Sequence, residues 1–105
     1  MLENKYKVYL KHEYIGDDLL IIITGGEKHI GSVSLITEDS LQTISKKNHK
    51  DHELSNRVAK LIYDKMGKDT IVICGIHIPN ATKEDIDLII KNTNKCVDKF
   101  LKEQK

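Results

Sequence analysis

Two short segments of the chain combine glycine, histidine and apolar residues in patterns that could carry chemistry. The first, IIITGGEKHIGSVSLI at residues 21–36, places Gly25, Gly26, Lys28 and His29 between two apolar runs. Paired glycines let the backbone adopt positive φ and approach a ligand closely, and successive N–H groups in such turns form anion-binding concavities. Lys28 would add an ammonium group that suits a phosphate. The segment therefore predicts either an ordinary wide hairpin turn or a small cradle for an anion.

The second segment, CGIHIPNAT at residues 74–82, lies at the end of an apolar strand. Gly75 interrupts that strand, which indicates a bulge or the close approach of another backbone. His77 closes the strand, and Asn80 offers both donors and acceptors of hydrogen bonds. Thr82 then opens a helix, whose N-terminal N–H groups attract anions. The alternative is a plain strand-to-helix turn in which Asn80 or Thr82 only caps the helix.

The remaining histidines raise the question of a metal site. His49 and His52 flank Asp51, and together with His29 or His77 they could form a mixed group of metal ligands. The sequence contains no H-E-x-x-H motif or other dependable ligand spacing. A divalent metal therefore stays open and is not predicted.

Length and composition limit the class of protein. The 105 residues suffice for one domain. The formal net charge of +1, from 17 basic and 16 acidic side chains, creates no field that would recruit nucleic acid or an anionic membrane. The longest apolar run, Leu19–Ile23, is too short to span a bilayer. Cys74 and Cys96 have no C-x-x-C spacing and fit a reducing compartment. We therefore expect a cytoplasmic protein that binds neither nucleic acid nor membranes.

Hydrophobic periodicity predicts the element order βββαβα. Four segments are typical of strands, because their apolar residues alternate with polar ones or run without interruption. Two segments are typical of helices, because their apolar residues recur every three to four positions. Thr82 and Asp85 predict a capping box at the start of the second helix, and the polar stretch 38–50 is predicted to be irregular. The predicted strands are residues 5–14, 19–24, 31–37 and 70–78, and the helices begin near residues 51 and 82.

These elements predict an α+β fold, a two-layer sandwich with a four-stranded, mostly antiparallel sheet and two helices on one face. The apolar runs Leu19–Ile23 and Ile71–Ile76 leave few polar positions for the other face of the sheet. We therefore expect a homo-oligomer that associates through that face, most simply a symmetric dimer. If the strands that carry the two glycine segments are neighbours, both segments will lie at one end of the sheet.

Three segments together resemble a known family of small proteins. They are DDLLIIITGGEKHIGSVSL, HKDHELSNRVAKLI and DTIVICGIHIPNATKEDIDLII, which lie between residues 17 and 91. The sequence is similar to the LpdD-like proteins, the D components encoded beside gallate-type and other phenolic-acid decarboxylases. The most specific parts of the resemblance are GG-x-x-HIG-x-V and GIH-x-x-x-AT. The resemblance implies that residues 1–105 form a single LpdD-like domain.

This resemblance implies a non-catalytic carrier or maturation chaperone for flavin mononucleotide (FMN) or its prenylated form. The implied partners are a flavin prenyltransferase and a UbiD-type decarboxylase, and catalysis would belong to the decarboxylase. With one Phe and no Trp in the chain, the candidates for stacking on the flavin ring are Tyr6, Tyr9 and Tyr14. The cofactor-binding residues implied by the matching segments are Gly25, Gly26, Lys28, His29, Gly75, His77 and Asn80.

Two other functions stay open. A small enzyme could use His29 or His77 as a general acid or base on a phosphorylated or carboxylated small molecule. A docking subunit would only bind to a larger decarboxylase. The sequence identifies no nucleophile or second titratable partner for either histidine, so it favours a binding protein over an enzyme.

Overall fold

The computed structural model describes residues 6–46 and 51–104 of the chain. All the predicted elements are present within those ranges, and one further strand, β4, lies inside the stretch that was predicted to be irregular. The elements in chain order are β1 (Val8–Ile15), β2 (Asp18–Gly26), β3 (Ser32–Ile36), β4 (Leu41–Ser45), α1 (Asp51–Met66), β5 (Thr70–His77) and α2 (Lys83–Glu103).

The additional strand β4 corrects the element order from βββαβα to ββββαβα. Its sequence, LQTIS, holds only two apolar residues, and the side chain of Ile44 is 76% exposed. The strand therefore has too little apolar character to stand out in the periodicity. It forms because its backbone pairs with β3, where Val33 lies opposite Ile44. It is an edge strand, and the exposed side of an edge strand tolerates polar residues.

The five strands form one mixed sheet in the order β1-β2-β5-β3-β4. β2 and β5 run parallel, whereas the other three neighbouring pairs are antiparallel. The prediction of a mostly antiparallel sheet is confirmed, but the predicted number of four strands is wrong. β2 and β3 are not neighbours, because β5 lies between them. The segment between β2 and β3 is therefore a crossover past the end of β5, and the hairpin interpretation is wrong.

Both helices pack on one face of the sheet, as predicted. α1 covers β3, β4 and β5, whereas α2 lies against β1, and the two helices also contact each other. Every second residue of a strand enters this core; Leu19, Ile21 and Ile23 of β2 are at most 1% exposed. Neither helix in the described part of the chain is long and apolar enough to cross a membrane.

The opposite face of the sheet is apolar, and neither helix of the described ranges packs on it. The sequence predicts that β2 is buried on both faces, but its second set of side chains, represented by Leu20 and Ile22, is only half-buried. Within one chain the helices cover one side only, so the apolar run of β2 is left partly uncovered. We call this surface the open face; besides Ile15 at the end of β1, its apolar side chains are those of Leu20, Ile22, Val33, Leu35, Ile44, Ile71 and Ile73.

Candidate functional site

The parallel pairing of β2 and β5 brings the two glycine-containing segments to one end of the sheet. Gly26, the last residue of β2, lies opposite His77, the last residue of β5. The N–H of Glu27 donates to the carbonyl oxygen of His77 at 3.0 Å. The predicted convergence of the two segments is confirmed.

Residues 27–31 cross the end of β5 to reach β3, and hydrogen bonds to β5 hold this crossover at both ends. At one end the N–H of Glu27 bonds to His77, and at the other the N–H of Gly31 donates to the carbonyl oxygen of Cys74 at 2.9 Å. These two N–H groups are engaged by the strand, so they do not supply the anion cradle that the glycine pair could otherwise form. The side chain of Lys28 adds a cationic group to this crossover, of a kind that suits a phosphate.

Gly75 and Gly26 allow the two segments to approach each other, and Gly25 allows β1 to lie close to β2. Gly75 lies directly beneath the crossover, and a Cβ at this position would overlap the carbonyl oxygen of His29. The close backbone approach predicted at Gly75 is therefore confirmed. Gly26 has φ +60°, in the left-handed region that favours glycine. Gly25 belongs to the β2 ladder opposite Val8, and a Cβ there would lie 3.0 Å from the carbonyl oxygen of Lys7.

His29 and His77 meet at the end of the two strands. Their rings stand edge to face with centroids 5.8 Å apart. The Nδ1 atom of His29 lies 3.1 Å from the carbonyl oxygen of Glu27, which requires the proton on Nδ1 for a hydrogen bond. His29 is half-buried, whereas His77 is exposed. Of the two imidazoles, that of His77 is therefore the more exposed, and the ring of His29 packs against it.

Tyr9 adds an aromatic ring to this end of the molecule, and the ammonium groups of Lys7 and Lys28 lie beside that ring. Val8 faces the helices, so Tyr9 lies on the same side of the sheet as the open face. The ammonium nitrogen of Lys28 is 5.5 Å from the centroid of the Tyr9 ring, and that of Lys7 is 5.3 Å away. Both distances are within the range of cation–π attraction. This cluster of Lys7, Tyr9 and Lys28 is a ring-bearing, positively charged surface beside the converged segments.

The other two candidate tyrosines lie elsewhere, on the helical side. The hydroxyl of Tyr6 donates to the carboxylate of Asp85 at 2.7 Å. The hydroxyl of Tyr14 donates to the side-chain oxygen of Gln104 at 2.6 Å. Both rings are engaged with α2, so Tyr9 is the tyrosine of the three that the structure places at the candidate site.

The start of α2 follows the second segment. The predicted capping box is confirmed, because the hydroxyl of Thr82 accepts from the N–H of Asp85 at 3.1 Å and the carboxylate of Asp85 accepts from the N–H of Thr82 at 3.0 Å. The buried Asp85 carboxylate also places negative charge at this terminus, which opposes the approach of an anion. Asn80 is exposed in the preceding turn with φ 57°, and none of the contacts described above involves it.

The metal hypothesis gains no support. His49 lies outside the described residues, and His52 is exposed on α1. Among residues 6–46 and 51–104, no group of three His, Cys, Asp or Glu side chains is arranged to hold a metal ion.

An apolar cleft of about 280 Å³ lies on the other side of β5, between the first turns of α1 and α2. The sequence does not indicate this cleft, because most of its walls come from apolar residues that the amphipathic pattern assigns to the core. Arg57 lines the cleft together with two acidic residues, Glu53 and Asp85. The guanidinium group would attract an anion, whereas the two carboxylates would repel it. The remaining lining residues are Leu54, Ile76, Ile78, Ala81, Ile86, Ile89 and Ile90.

The fold and the site together define a small α+β domain with a cationic, aromatic surface at one end of its sheet. The chain belongs to the prenylated flavin chaperone LpdD-like domain family, whose model matches residues 2–105. It is similar to Protein LpdD of Lactiplantibacillus plantarum, with 34% identity over 88 residues. That alignment covers 77% of this chain and 65% of the relative, so the chain spans just under two thirds of the relative's length.

A solved structure shares the fold. It is a chain of a chaperone complex for yeast 20S proteasome assembly, with a TM-score of 0.56 and 11% sequence identity. The match covers 90% of this chain and 93% of that chain. At this identity the likeness concerns the arrangement of helices and strands alone.

Proposed function

We propose that this chain binds FMN or its prenylated form reversibly and carries the flavin without turning it over. The observation that carries the proposal is the Tyr9 ring with the ammonium groups of Lys7 and Lys28 beside it, at the end of the sheet where both family-matching segments converge. A flavin offers a planar ring for stacking and a phosphate dianion for the two cations. Membership of the family supports the choice of a flavin among phosphorylated ligands.

In this arrangement the phosphate binds to Lys28, with Lys7 as the second cation, and the flavin ring stacks on Tyr9. His77 is exposed next to the crossover, so it donates or accepts a hydrogen bond at the edge of the ligand. Gly26 and Gly75 contribute through the backbone, because they let the crossover lie against β5. Three further residues complete the proposed site. Gly25 contributes its backbone, and His29 and Asn80 contribute polar side chains.

The proposed partners are a flavin prenyltransferase, which supplies the cofactor, and a UbiD-type decarboxylase, which uses it. The exchange would take place in the cytoplasm, where the free thiols of Cys74 and Cys96 stay reduced. A direct test adds the flavin-loaded chain to cofactor-free decarboxylase and follows the appearance of decarboxylase activity. Activity no faster than with free prenylated FMN at the same concentration would exclude the chaperone role.

A calorimetric titration of FMN and riboflavin tests the ligand proposal. Charge-assisted hydrogen bonds contribute about 1.5–3 kcal/mol each, so we expect Lys28→Ala to weaken FMN binding by roughly 10- to 150-fold. Riboflavin lacks the phosphate, and its affinity should therefore hardly change. Lys65 is an exposed lysine in the last turn of α1, at the end of the sheet where β5 begins and not where it ends, and Lys65→Ala is the matched control that should leave both affinities unchanged. Equal and feeble binding of both ligands to the wild type would exclude the flavin site and favour a docking subunit.

The adjacent histidines are the observation that would favour an enzyme instead. A general acid or base acts on a bound substrate and leaves a product. Incubation of the protein with FMN or prenylated FMN, followed by mass analysis of the released flavin, separates the two functions. The carrier function predicts a ligand of unchanged mass.

A further inference from the structure

We propose that the open face is the interface of a symmetric homodimer in which two sheets pack face to face. The open face carries seven apolar side chains besides Ile15 and is covered by neither helix of the described ranges. Two of its members are large and well exposed, Leu35 at 41% and Ile44 at 76%. Contiguous apolar surface of this extent on a small domain marks an interaction site. This inference does not depend on the proposed ligand.

The strand register arranges the apolar side chains in two adjacent rows. Ile22, Ile73, Val33 and Ile44 lie side by side across four strands and form the first row. Leu20, Ile71 and Leu35 form the second row, which continues into Gln42 on β4. Side chains from two such faces can interdigitate as they do in a β-sandwich, where sheets pack about 10 Å apart.

The charges at the β1 edge of the open face point to a second copy as the occupant. Lys11 lies beside Ile22 at the end of the first row, and Glu13 lies beside Leu20 at the end of the second. Consider a two-fold axis that runs perpendicular to the strands, in the plane of the interface and between the two rows. It places the first row of one copy over the second row of the other. It therefore places Lys11 of each copy opposite Glu13 of the other, which makes two ion pairs from one self-complementary edge. An unrelated partner would gain nothing from this symmetry.

The size of the face is sufficient for a specific interface. Five strands about 4.8 Å apart give a surface on the order of 500 Å² per copy, or about 1,000 Å² in total, which is about the minimum area of a biological interface. Tyr9 lies one row beyond the Lys11 row, toward the crossover, so the Tyr9 cluster falls at the rim of the proposed interface. The dimer and the ligand site are therefore compatible.

Leu35 and Leu88 provide a matched pair of variants. Leu35 is 41% exposed on the open face, and Leu88 is 40% exposed on α2, away from the sheet. We expect the wild type to sediment at twice the 12.0 kDa mass of the chain. Leu35→Lys would place a charge in the apolar interface of each copy and should weaken the dimer by roughly a hundredfold or more. Leu88→Lys should leave the dimer intact.

Several results would overturn the proposal. These are a monomeric wild type at high micromolar concentration, an equal effect of both lysine variants, or a dimer that is indifferent to Leu35→Lys. Circular dichroism at the same concentrations establishes that each variant is folded, because both positions are already substantially exposed in the single chain.

The charges at the edge allow a second, independent test by exchange. Lys11→Glu or Glu13→Lys alone would set like charges opposite each other twice per dimer, and each should weaken the dimer between about twofold and thirtyfold. The double variant, Lys11→Glu with Glu13→Lys, restores both pairs and should recover the wild-type dissociation constant. Failure of the double variant to recover would exclude the proposed two-fold axis, even if the open face still forms the interface.

Discussion

His29 and His77 stand edge to face, with ring centroids 5.8 Å apart, at the point where β2 and β5 end together. His77 belongs to β5, whereas His29 reaches it from the crossover that leaves β2. The parallel pairing of two core strands therefore determines the distance between them. The carbonyl oxygen of His29 lies against Gly75 of β5. A larger residue at position 75 will therefore also displace His29.

Gly75→Ala should move the crossover, because a methyl group there overlaps the backbone of His29. Overpacking of this kind typically lowers the free energy of unfolding by about 1–3 kcal/mol, and a clash with backbone belongs at the upper end. The proton resonances of the His29 and His77 rings should shift as well. Urea unfolding and nuclear magnetic resonance of the imidazole protons measure the two effects.

Gly16→Ala is the control for this prediction. Gly16 has φ +62°, but no atom lies within 4 Å of an added Cβ. The left-handed backbone alone should therefore lower the free energy of unfolding by about 1–2 kcal/mol, with the histidine resonances unchanged. A Gly75→Ala variant with wild-type histidine resonances would contradict the close packing of the crossover on β5.

Tyr9→Leu should weaken FMN and riboflavin binding alike, because the ring proposed to stack on the flavin is lost while the cations remain. An aromatic pair contributes about 0.5–1.5 kcal/mol beyond its buried area, so the affinity should fall by roughly 2- to 13-fold. Tyr9→Phe keeps the ring and should bind as the wild type does. Calorimetric titration of the two flavins measures each effect.

Tyr14 is the matched control for Tyr9. The two side chains have similar exposure, 44% for Tyr9 and 41% for Tyr14, yet Tyr14 bonds to Gln104 near the end of α2. Tyr14→Leu should therefore leave both flavin affinities unchanged. Equal losses in Tyr9→Leu and Tyr14→Leu would show that the ring of Tyr9 has no specific part in binding.

Much of the fold follows from local patterns in the sequence. The apolar runs of β2 and β5 predicted two strands, and the Thr82–Asp85 spacing predicted the start of α2. Strand β4 was not predicted, because a polar edge strand forms through pairing with its neighbour and shows little hydrophobic pattern of its own. The order of the strands is a long-range property, so periodicity could not show that β5 separates β2 from β3.

The candidate site was also predictable only where it depends on local sequence. The interruption of an apolar strand by Gly75 correctly indicated a close backbone approach. The alternation in β1 placed Lys7 and Tyr9 on one face, but only the antiparallel register with β2 brings them beside Lys28. The roles of these side chains toward a ligand stay predictions.

Cys96 should react slowly with iodoacetamide in the folded protein. Its thiol donates to the carbonyl oxygen of Val8 at 3.2 Å, and burial raises the pKa of the thiol, with Lys99 acting weakly in the opposite direction. The thiolate is the reactive form, so the rate at neutral pH should be below that of free cysteine. Cys74 is fully buried and should react only on unfolding. Mass spectrometry of the alkylated protein distinguishes the two sites.

The same raised pKa predicts a change of stability at alkaline pH. A thiol whose pKa is higher in the folded state than in the unfolded state stabilises the protein below the unfolded pKa, and this contribution is lost as the pH rises. The free energy of unfolding should therefore fall above the ordinary pKa of cysteine, and this part of the fall should be absent in Cys96→Ala. An identical alkaline profile in that variant would exclude Cys96 as the cause.

Ser55→Ala should be the most costly of the serine substitutions at the junction of α1 and β3. The hydroxyl of Ser55 accepts from Ser32 at 2.9 Å and lies 2.8 Å from the hydroxyl of Ser34, and all three side chains are at most 1% exposed. Its removal leaves the buried hydroxyl of Ser32 without this partner, whereas the hydroxyl of Ser34 keeps its contact with Thr43 at 2.8 Å. A buried group left without a partner costs about 1–3 kcal/mol, so the free energy of unfolding should fall within that range.

A double-mutant cycle shows whether the three hydroxyls act as one network. Ser32→Ala removes one donor, while Ser55 keeps its contact with Ser34, so this variant should cost less than Ser55→Ala. In the Ser32→Ala, Ser55→Ala double variant, one orphaned hydroxyl of the single variant is itself gone. The combined loss should therefore fall short of the sum of the single losses by about 0.5 kcal/mol or more, measured by urea unfolding. Strict additivity would mean that Ser55 contributes through packing of α1 against β3 and not through its hydrogen bonds.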